Sequence, residues 1–462
     1  MTTNKLPVFS AECCAPIEYR VELHNLNAHL YRVHLYLADP SADGQIFSLP
    51  AWIPGSYLIR DFARNLIEIN AVDSAGVSVQ LAKLDKDRWQ AAPVVGALTL
   101  SYVVYAFDTS VRSAFLDGRR GFFNGTSLLL QAQGLEQSVC VLELQPAENT
   151  GGWKVACGLS VDAVNEQGFG RYIADNYESL IDHPVEMGDF DRSDFVAAEV
   201  PHSVVLSGKH SADMPRLQRD LVTVCEQQVA LFGESPPFDQ FLFLTQVTEG
   251  DYGGLEHMNS TALVSARSDL PHADDKSVTD GYRQFLGLCS HEYFHCWNVK
   301  RIRPQAFAES DLSREAYSGL LWWFEGATSY YDDLALVRSG LIDTESYLEL
   351  LGRTVTRVYR GAGRLKQSVY ESSFDAWTRF YKQDANAANA IVRYYTKGSL
   401  VALGLDFELR RATAGGKSLD DLTRLLWQKY GKTEIAYTIK DIQNTLADYA
   451  GAEFANHFFD RY

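Results

Sequence analysis

Cys289-Ser290-His291-Glu292-Tyr293-Phe294-His295-Cys296-Trp297-Asn298-Val299-Lys300-Arg301-Ile302-Arg303-Pro304 is the stretch on which the reading of this chain turns. Its centre places two histidines four residues apart. On a helix such residues project from one face, about one turn apart. Two neutral imidazoles at that separation can hold one Zn²⁺. Glu292 follows the first histidine directly, so its carboxylate can reach a water on the metal without being a ligand. The flanks Phe285, Leu286, Leu288, Phe294 and Trp297 are apolar enough to bury the helix. A buried helix carrying His, Glu and His needs partners for them, because unpaired polar groups in a core are costly. The competing reading is a core helix with two satisfied histidines. Cys289 and Cys296 are seven apart, point off the ligand face and read as packing residues.

A catalytic zinc usually takes three protein ligands and keeps one position for water. The third is expected from Leu321-Trp322-Trp323-Phe324-Glu325-Gly326-Ala327-Thr328-Ser329-Tyr330-Tyr331, where Glu325 is the only acid. A lone carboxylate amid large aromatics is expensive to bury unless it meets a metal or a cation. Arg301 and Arg303 are the alternative partners for it. Asp332 and Asp333 follow, and suit a supporting role or the helix surface better than ligation.

The chain has 462 residues, enough for about three domains. Its 46% hydrophobic and 22% charged residues are ordinary for a globular protein. With 42 basic against 59 acidic side chains, the net charge of −17 argues against nucleic acid or an anionic membrane as partner. The run Lys300-Arg301-Ile302-Arg303 is a local basic patch against that background. The first residues, MTTNKLPVFSAECC, show no apolar core of signal-peptide length, and no apolar run approaches that of a spanning helix. Seven cysteines without small-domain spacing fit a reducing cytoplasm. Cys13-Cys14 is too isolated for a metal knuckle.

Residues 1 to about 185 read as β-rich. Ile17, Tyr19, Val21 and Leu23 alternate with polar residues, as do Val33, Leu35 and Leu37, then Val77, Val79 and Leu81, then Leu98, Leu100 and Tyr102. Period-two alternation marks half-buried strands. The loop Leu49-Pro50-Ala51-Trp52-Ile53-Pro54-Gly55-Ser56-Tyr57 reads first as a packed connection and second as a substrate contact. The pattern breaks between Asp182 and Asp194. A strand over 203–207, a helix with Leu217, Leu221, Val224 and Leu231, and a strand from Phe241 follow. The stretch Glu249-Gly250-Asp251-Tyr252-Gly253-Gly254 then leads into a small sheet with a glycine-bearing edge, where paired glycines let another backbone approach. From about 279 the chain is mostly helical, with helices expected near 314–337, 345–360, 396–413, 419–429 and 439–449. Ser418 and Thr438 are the expected N-caps of the last two.

The run His291–Pro304, followed by Trp322-Trp323-Phe324-Glu325-Gly326-Ala327-Thr328-Ser329-Tyr330-Tyr331, resembles the glycyl aminopeptidase family. These are gluzincin metallopeptidases related to thermolysin and, more distantly, to alanyl aminopeptidases. The resemblance covers most of the chain, including residues 49–64. It implies an α+β multidomain fold: an N-terminal antiparallel β-domain over 1–185, then a thermolysin-like catalytic domain over 186–462, with a sheet over 200–270 and a helical part over 279–462. It implies His291, His295 and Glu325 as ligands of one Zn²⁺ and Glu292 as general base. The 29 residues between His295 and Glu325 exceed the spacer of the alanyl enzymes.

Two further motifs match. Gly253-Gly254-Leu255-Glu256-His257 resembles the alanyl enzymes' edge strand Gly-x-Met-Glu-Asn, which implies that Glu256 receives the substrate's α-ammonium beside Gly253 and Gly254. Leu255 and His257 depart from that pattern. Tyr395-Thr396-Lys397-Gly398 resembles Tyr-x-Lys-Gly, which implies Tyr395 as donor to the oxyanion, with Tyr394 as the adjacent alternative. The implied activity is removal of small N-terminal residues, Gly or Ala favoured, from peptides with a free amino end. A thermolysin-type endopeptidase is the enzyme alternative, and a non-catalytic peptide-binding scaffold the alternative of another class. Family members usually carry a C-terminal PDZ domain. After Phe458-Phe459-Asp460-Arg461-Tyr462 there is no room for one, and the ending reads as a cut within a longer protein or as a natural short form.

Overall fold

The computed structural model describes residues 15–275 and 277–461. Cys13, Cys14 and Tyr462 lie outside these. The chain forms two compact units. The first runs to Ala51 and resumes over Asp61–Asp189; the second takes Trp52–Arg60 and everything from Phe190. The last crossing, from Asp189 to Phe190, lies within the Asp182–Asp194 stretch.

The first unit is built of sheets. The largest has eight strands, in the order Ser160–Val164, Gly170–Ala174, Cys140–Gln145, Ile17–Asn25, Leu30–Leu37, Leu98–Tyr105, Leu66–Asp73 and Ser78–Val79. Alternation becomes burial here: Ile17, Tyr19, Val21 and Leu23 are buried, while Glu18, Arg20 and His24 are exposed. Neighbours pair antiparallel except Ile17–Asn25 with Cys140–Gln145, which run parallel. The Val77-to-Leu81 alternation resolves differently. The chain splits there between Ser78–Val79 and Leu81–Lys83, which belong to different sheets, and Val77 is 60% exposed. Alternation reports two faces; at a sheet edge neither face need be covered.

The second unit holds a five-stranded mixed sheet. Its order is Phe190–Ala197, Val200–Ser207, Phe241–Thr248, Ser260–Ala266 and Gly253–Glu256, with the two inner pairings parallel and the two outer ones antiparallel. The Gly253–Glu256 strand is therefore an edge. Helix Met214–Phe232 makes the crossover that the parallel pair Val200–Ser207 and Phe241–Thr248 requires. Helix Asp280–Phe294 starts at Thr279, whose Oγ1 accepts from Tyr282 N–H at 3.2 Å. Almost every side chain of this helix is buried. Tyr293 lies edge-on to Phe241 at 4.8 Å and stacks on Phe243 at 6.0 Å, which turns the opposite side, with His291 and His295, away from the sheet.

Helices Thr344–Arg360, Tyr394–Ala412, Leu419–Leu426, Ile439–Ala450 and Ala452–Arg461 complete the unit. Ser418 and Thr438 cap as expected, each donating its N–H and hydroxyl to Asp421 or Asp441. The helix expected over 314–337 is shorter. Within that stretch Ser318 Oγ accepts from Leu320 N–H, a short polar side chain taking a backbone donor that a helix would use. Regular structure begins with a π-helical turn, Trp322–Ala327, that continues as helix Thr328–Arg338. No helix among the described residues is long and apolar enough to cross a membrane.

Candidate active site

His291 occupies the last turn of helix Asp280–Phe294, and His295 is its C-cap, with its N–H bonded to His291 O. The chain then folds back, Ile302 N–H donating to Trp297 O at 2.8 Å. Val299 pays for that reversal with φ 109°, a region that β-branched residues avoid. The turn brings the Asn298 carbonyl 2.9 Å from His295 Nδ1. His291 Nδ1 faces Asp332 Oδ2 at 3.0 Å. Each Nδ1–H thus has an acceptor, which leaves each Nε2 lone pair free to ligate.

Both Nε2 atoms lie 3.3 Å from Glu325 Oε2. Donors about 2.0–2.1 Å from a tetrahedral zinc stand about 3.3 Å from one another. The two nitrogen–oxygen separations match that spacing, and the three donors could hold a metal ion. Glu292 Oε2 is buried and has no hydrogen-bond partner among the described residues, so its second oxygen is available to a water. Arg301 donates to the Pro237, Met258 and Cys296 carbonyls and Arg303 to Phe307 O, while Glu325 faces the imidazoles.

Burial pushes the Glu292 carboxyl up to about 7, against the pull of His291 and His295. Burial acts the same way on Glu325, but its interactions with His295 and His291 win and hold it below the usual carboxylate range. Two glutamates in one cleft thus differ in kind. One is held as an anion facing the imidazole nitrogens, and burial raises the other.

Asn298 ties the histidines to the glutamate. Its Nδ2 donates to Trp323 O, Phe324 O and Thr328 Oγ1 at 3.2–3.3 Å, all within or beside the π-helical turn that carries Glu325. The turn is also fitted to helix Tyr394–Ala412. A Cβ on Gly326 would come 2.6 Å from Gly398 Cα, and one on Gly398 would come 2.8 Å from Trp322 O. Two glycines here let backbones touch. That approach sets Tyr395 with its ring 6.3 Å from His291, near-parallel at 27°. Tyr394 is fully buried and donates its hydroxyl to Tyr381 at 3.3 Å. Burial and Glu325 keep the Tyr395 phenol well above its ordinary pKa, so it is a donor at neutral pH.

The edge strand faces the same group. One carboxylate oxygen each of Glu256 and Glu292 and a His295 nitrogen lie within 4.8 Å of one another. Gly254 supplies the clearance, since a Cβ there would come 2.1 Å from Glu292 Oε1. Gly253 adopts φ 159° at the strand's start.

The segment Trp52–Arg60, which overlaps the Leu49–Tyr57 loop read first as a packed connection and second as a substrate contact, contributes to this group directly. Trp52 Nε1 donates to Arg314 O at 2.9 Å, and its ring meets Trp377 edge-on at 5.0 Å. Tyr57 stacks on Phe307 at 5.4 Å and points its hydroxyl at Glu325 Oε1, 3.5 Å away. Gly55 lies under Glu256, where a Cβ would come 2.5 Å from Oε2. Sequence reasoning assigned no role to Gly55, Tyr57 or Asn298. The signal was present as Pro54-Gly55 between buried aromatics, and as an Asn three residues after the second histidine.

Residues 18–189 match the Peptidase M61 N-terminal domain, and residues 284–401 match the M61 glycyl aminopeptidase domain. A comparison against curated proteins finds no match. A crystal structure of an aminopeptidase N family protein from Idiomarina loihiensis is 44% identical, covering 96% of this chain and 75% of that one with a TM-score of 0.93. The M1 zinc metallopeptidase of Deinococcus radiodurans shares the fold at 11% identity and a TM-score of 0.58, over 96% of this chain and 93% of that one. A variant of that protein has been crystallised with a Tyr-Ser-Ala substrate. On the strength of the Idiomarina relative and the two matched domains, the chain belongs to the M61 glycyl aminopeptidase family and is a metallopeptidase.

Proposed function

We propose that the protein is a zinc aminopeptidase that removes small N-terminal residues, Gly or Ala favoured, from peptides. His291, His295 and Glu325 would hold one zinc ion. When bound, the ion supplies Lewis acidity at the scissile carbonyl and lowers the pKa of water to ~7. Glu292 would take a proton from the attacking water and return it to the leaving amine, its buried Oε2 being without another hydrogen-bond partner among the described residues. Tyr395 donates to the developing oxyanion, a contact worth about 3 kcal/mol.

The observation that carries the exopeptidase reading is the Glu256 carboxylate, 4% exposed, beside Glu292 and His295. Among the described residues no Lys or Arg pairs with it. A buried anion needs a cation, and the α-ammonium of a peptide is one that only a free amino end provides. Bound there, the first residue places only its own peptide bond at the metal. Gly253 and Gly254 leave room for the peptide backbone along the edge strand. The preference for Gly or Ala rests on the family resemblance. The five described cysteines are all free thiols, which supports a reducing compartment, the cytoplasm.

A panel of aminoacyl amides and N-acetylated peptides, with and without chelator, tests the proposal. Glycyl and alanyl amides should be hydrolysed, blocked peptides should not, and chelator should abolish turnover. Equal cleavage of blocked peptides would identify an endopeptidase instead.

A further inference from the structure

We propose that the segment Trp52–Arg60 is a positioning element of the site, in which Gly55 seats the Glu256 carboxylate and Tyr57 steadies the ligand Glu325 through its second oxygen. The segment is covalently part of the β-rich half of the chain but packs as part of the second unit. It is held there independently of the site. Trp52 is anchored to Arg314 O, Tyr57 is set among Phe307, Trp377 and Tyr381, and Arg60 Nη2 donates to Ser56 Oγ at 2.9 Å.

From that position two contacts follow. Gly55 adopts φ 87°, and its Cα lies so close to Glu256 that a Cβ would fall 2.5–2.7 Å from Oε2, Oε1 and Cδ. Any other residue would push that carboxylate aside. Glu325 presents Oε2 to the two imidazoles and Oε1 to the Tyr57 hydroxyl. A donor on the second oxygen favours ligation through one oxygen only and fixes its direction, as outer partners of metal ligands do. The Gly55 half rests on the reading of Glu256 as the amine anchor; the Tyr57 half does not.

Three variants test this. Tyr57→Phe keeps the ring and removes the donor. Zinc affinity, measured by competition with a chelating indicator, should fall about 10-fold while the melting temperature of the metal-free protein is unchanged. Wild-type zinc affinity in Tyr57→Phe would overturn that half. Gly55→Ala should keep zinc affinity within about twofold, raise KM for a glycyl amide about 10-fold by misplacing the ammonium partner, and show Glu256 displaced in a crystal structure. Glu256 in its original place would overturn the seating argument. A displaced Glu256 with an unchanged KM would uphold the seat and defeat the amine-anchor reading. Gly233→Ala is the control for backbone strain, because Gly233 has φ 74° with nothing within 4 Å of an added Cβ. It should leave both readouts unchanged. If Gly55→Ala fails to fold while Gly233→Ala folds, the Tyr57→Phe result decides.

Discussion

The two sides of the cleft are held in place by opposite means. The ligand side is held by hydrogen bonds: Asp332 to His291, the Asn298 carbonyl to His295, and Asn298 again to the π-helical turn carrying Glu325. The strand side is held by missing side chains: Gly254 beneath Glu292 and Gly55 beneath Glu256. Partners on the first side tune ligands, so their loss should appear in metal affinity. Clearance on the second side places carboxylates, so its loss should appear in turnover and substrate affinity, with metal retained. A third kind of contact, Gly326 on Gly398, meets backbone from both directions, so its loss should appear in stability.

The largest expected effect separates chemistry from both scaffolds. Glu292→Gln should lower kcat by about 10⁴ while metal analysis still returns one zinc per chain. Zinc loss in that variant would place Glu292 among the ligands and merge the two sides. Next comes the ligand side. Asn298→Leu removes the donor to the Glu325 turn and should weaken zinc binding about 10–100-fold by chelator competition, with kcat near normal once zinc is saturating. Full metal affinity with low kcat would break the contrast. The smallest effect is expected on the strand side. Gly254→Ala pushes against the far end of a flexible glutamate, not against backbone. It should cost about 10-fold in kcat and leave zinc content and melting temperature unchanged.

The sequence revealed the ligand side better than the strand side for a physical reason. His291, Glu292, His295 and Glu325 are expensive groups in apolar surroundings, and that expense is visible in one dimension. The helices beginning at Leu419 and Ile439 were legible because capping is local: Ser418 with Asp421 and Thr438 with Asp441 stand three residues apart, whereas the helix Ala452–Arg461 was not expected. The late start of the helix expected from 314 was not legible. There Ser318 takes the Leu320 backbone donor, a competition that depends on side-chain rotation rather than pattern. Nor was the role of Gly55, since a glycine announces only that something comes close. What comes close is Glu256, more than 200 positions away in the chain.

The central claim is that Glu256 makes this metallopeptidase begin at an amino end. Its most direct test is the ratio of kcat/KM for a free glycyl peptide to that for its N-acetylated form, in wild type and in Glu256→Ala. The account predicts a wild-type ratio above about 10³ that collapses toward one in Glu256→Ala, chiefly through loss on the free peptide, as removal of a buried charged partner requires. A wild-type ratio near one, or a ratio unchanged in Glu256→Ala, would contradict it.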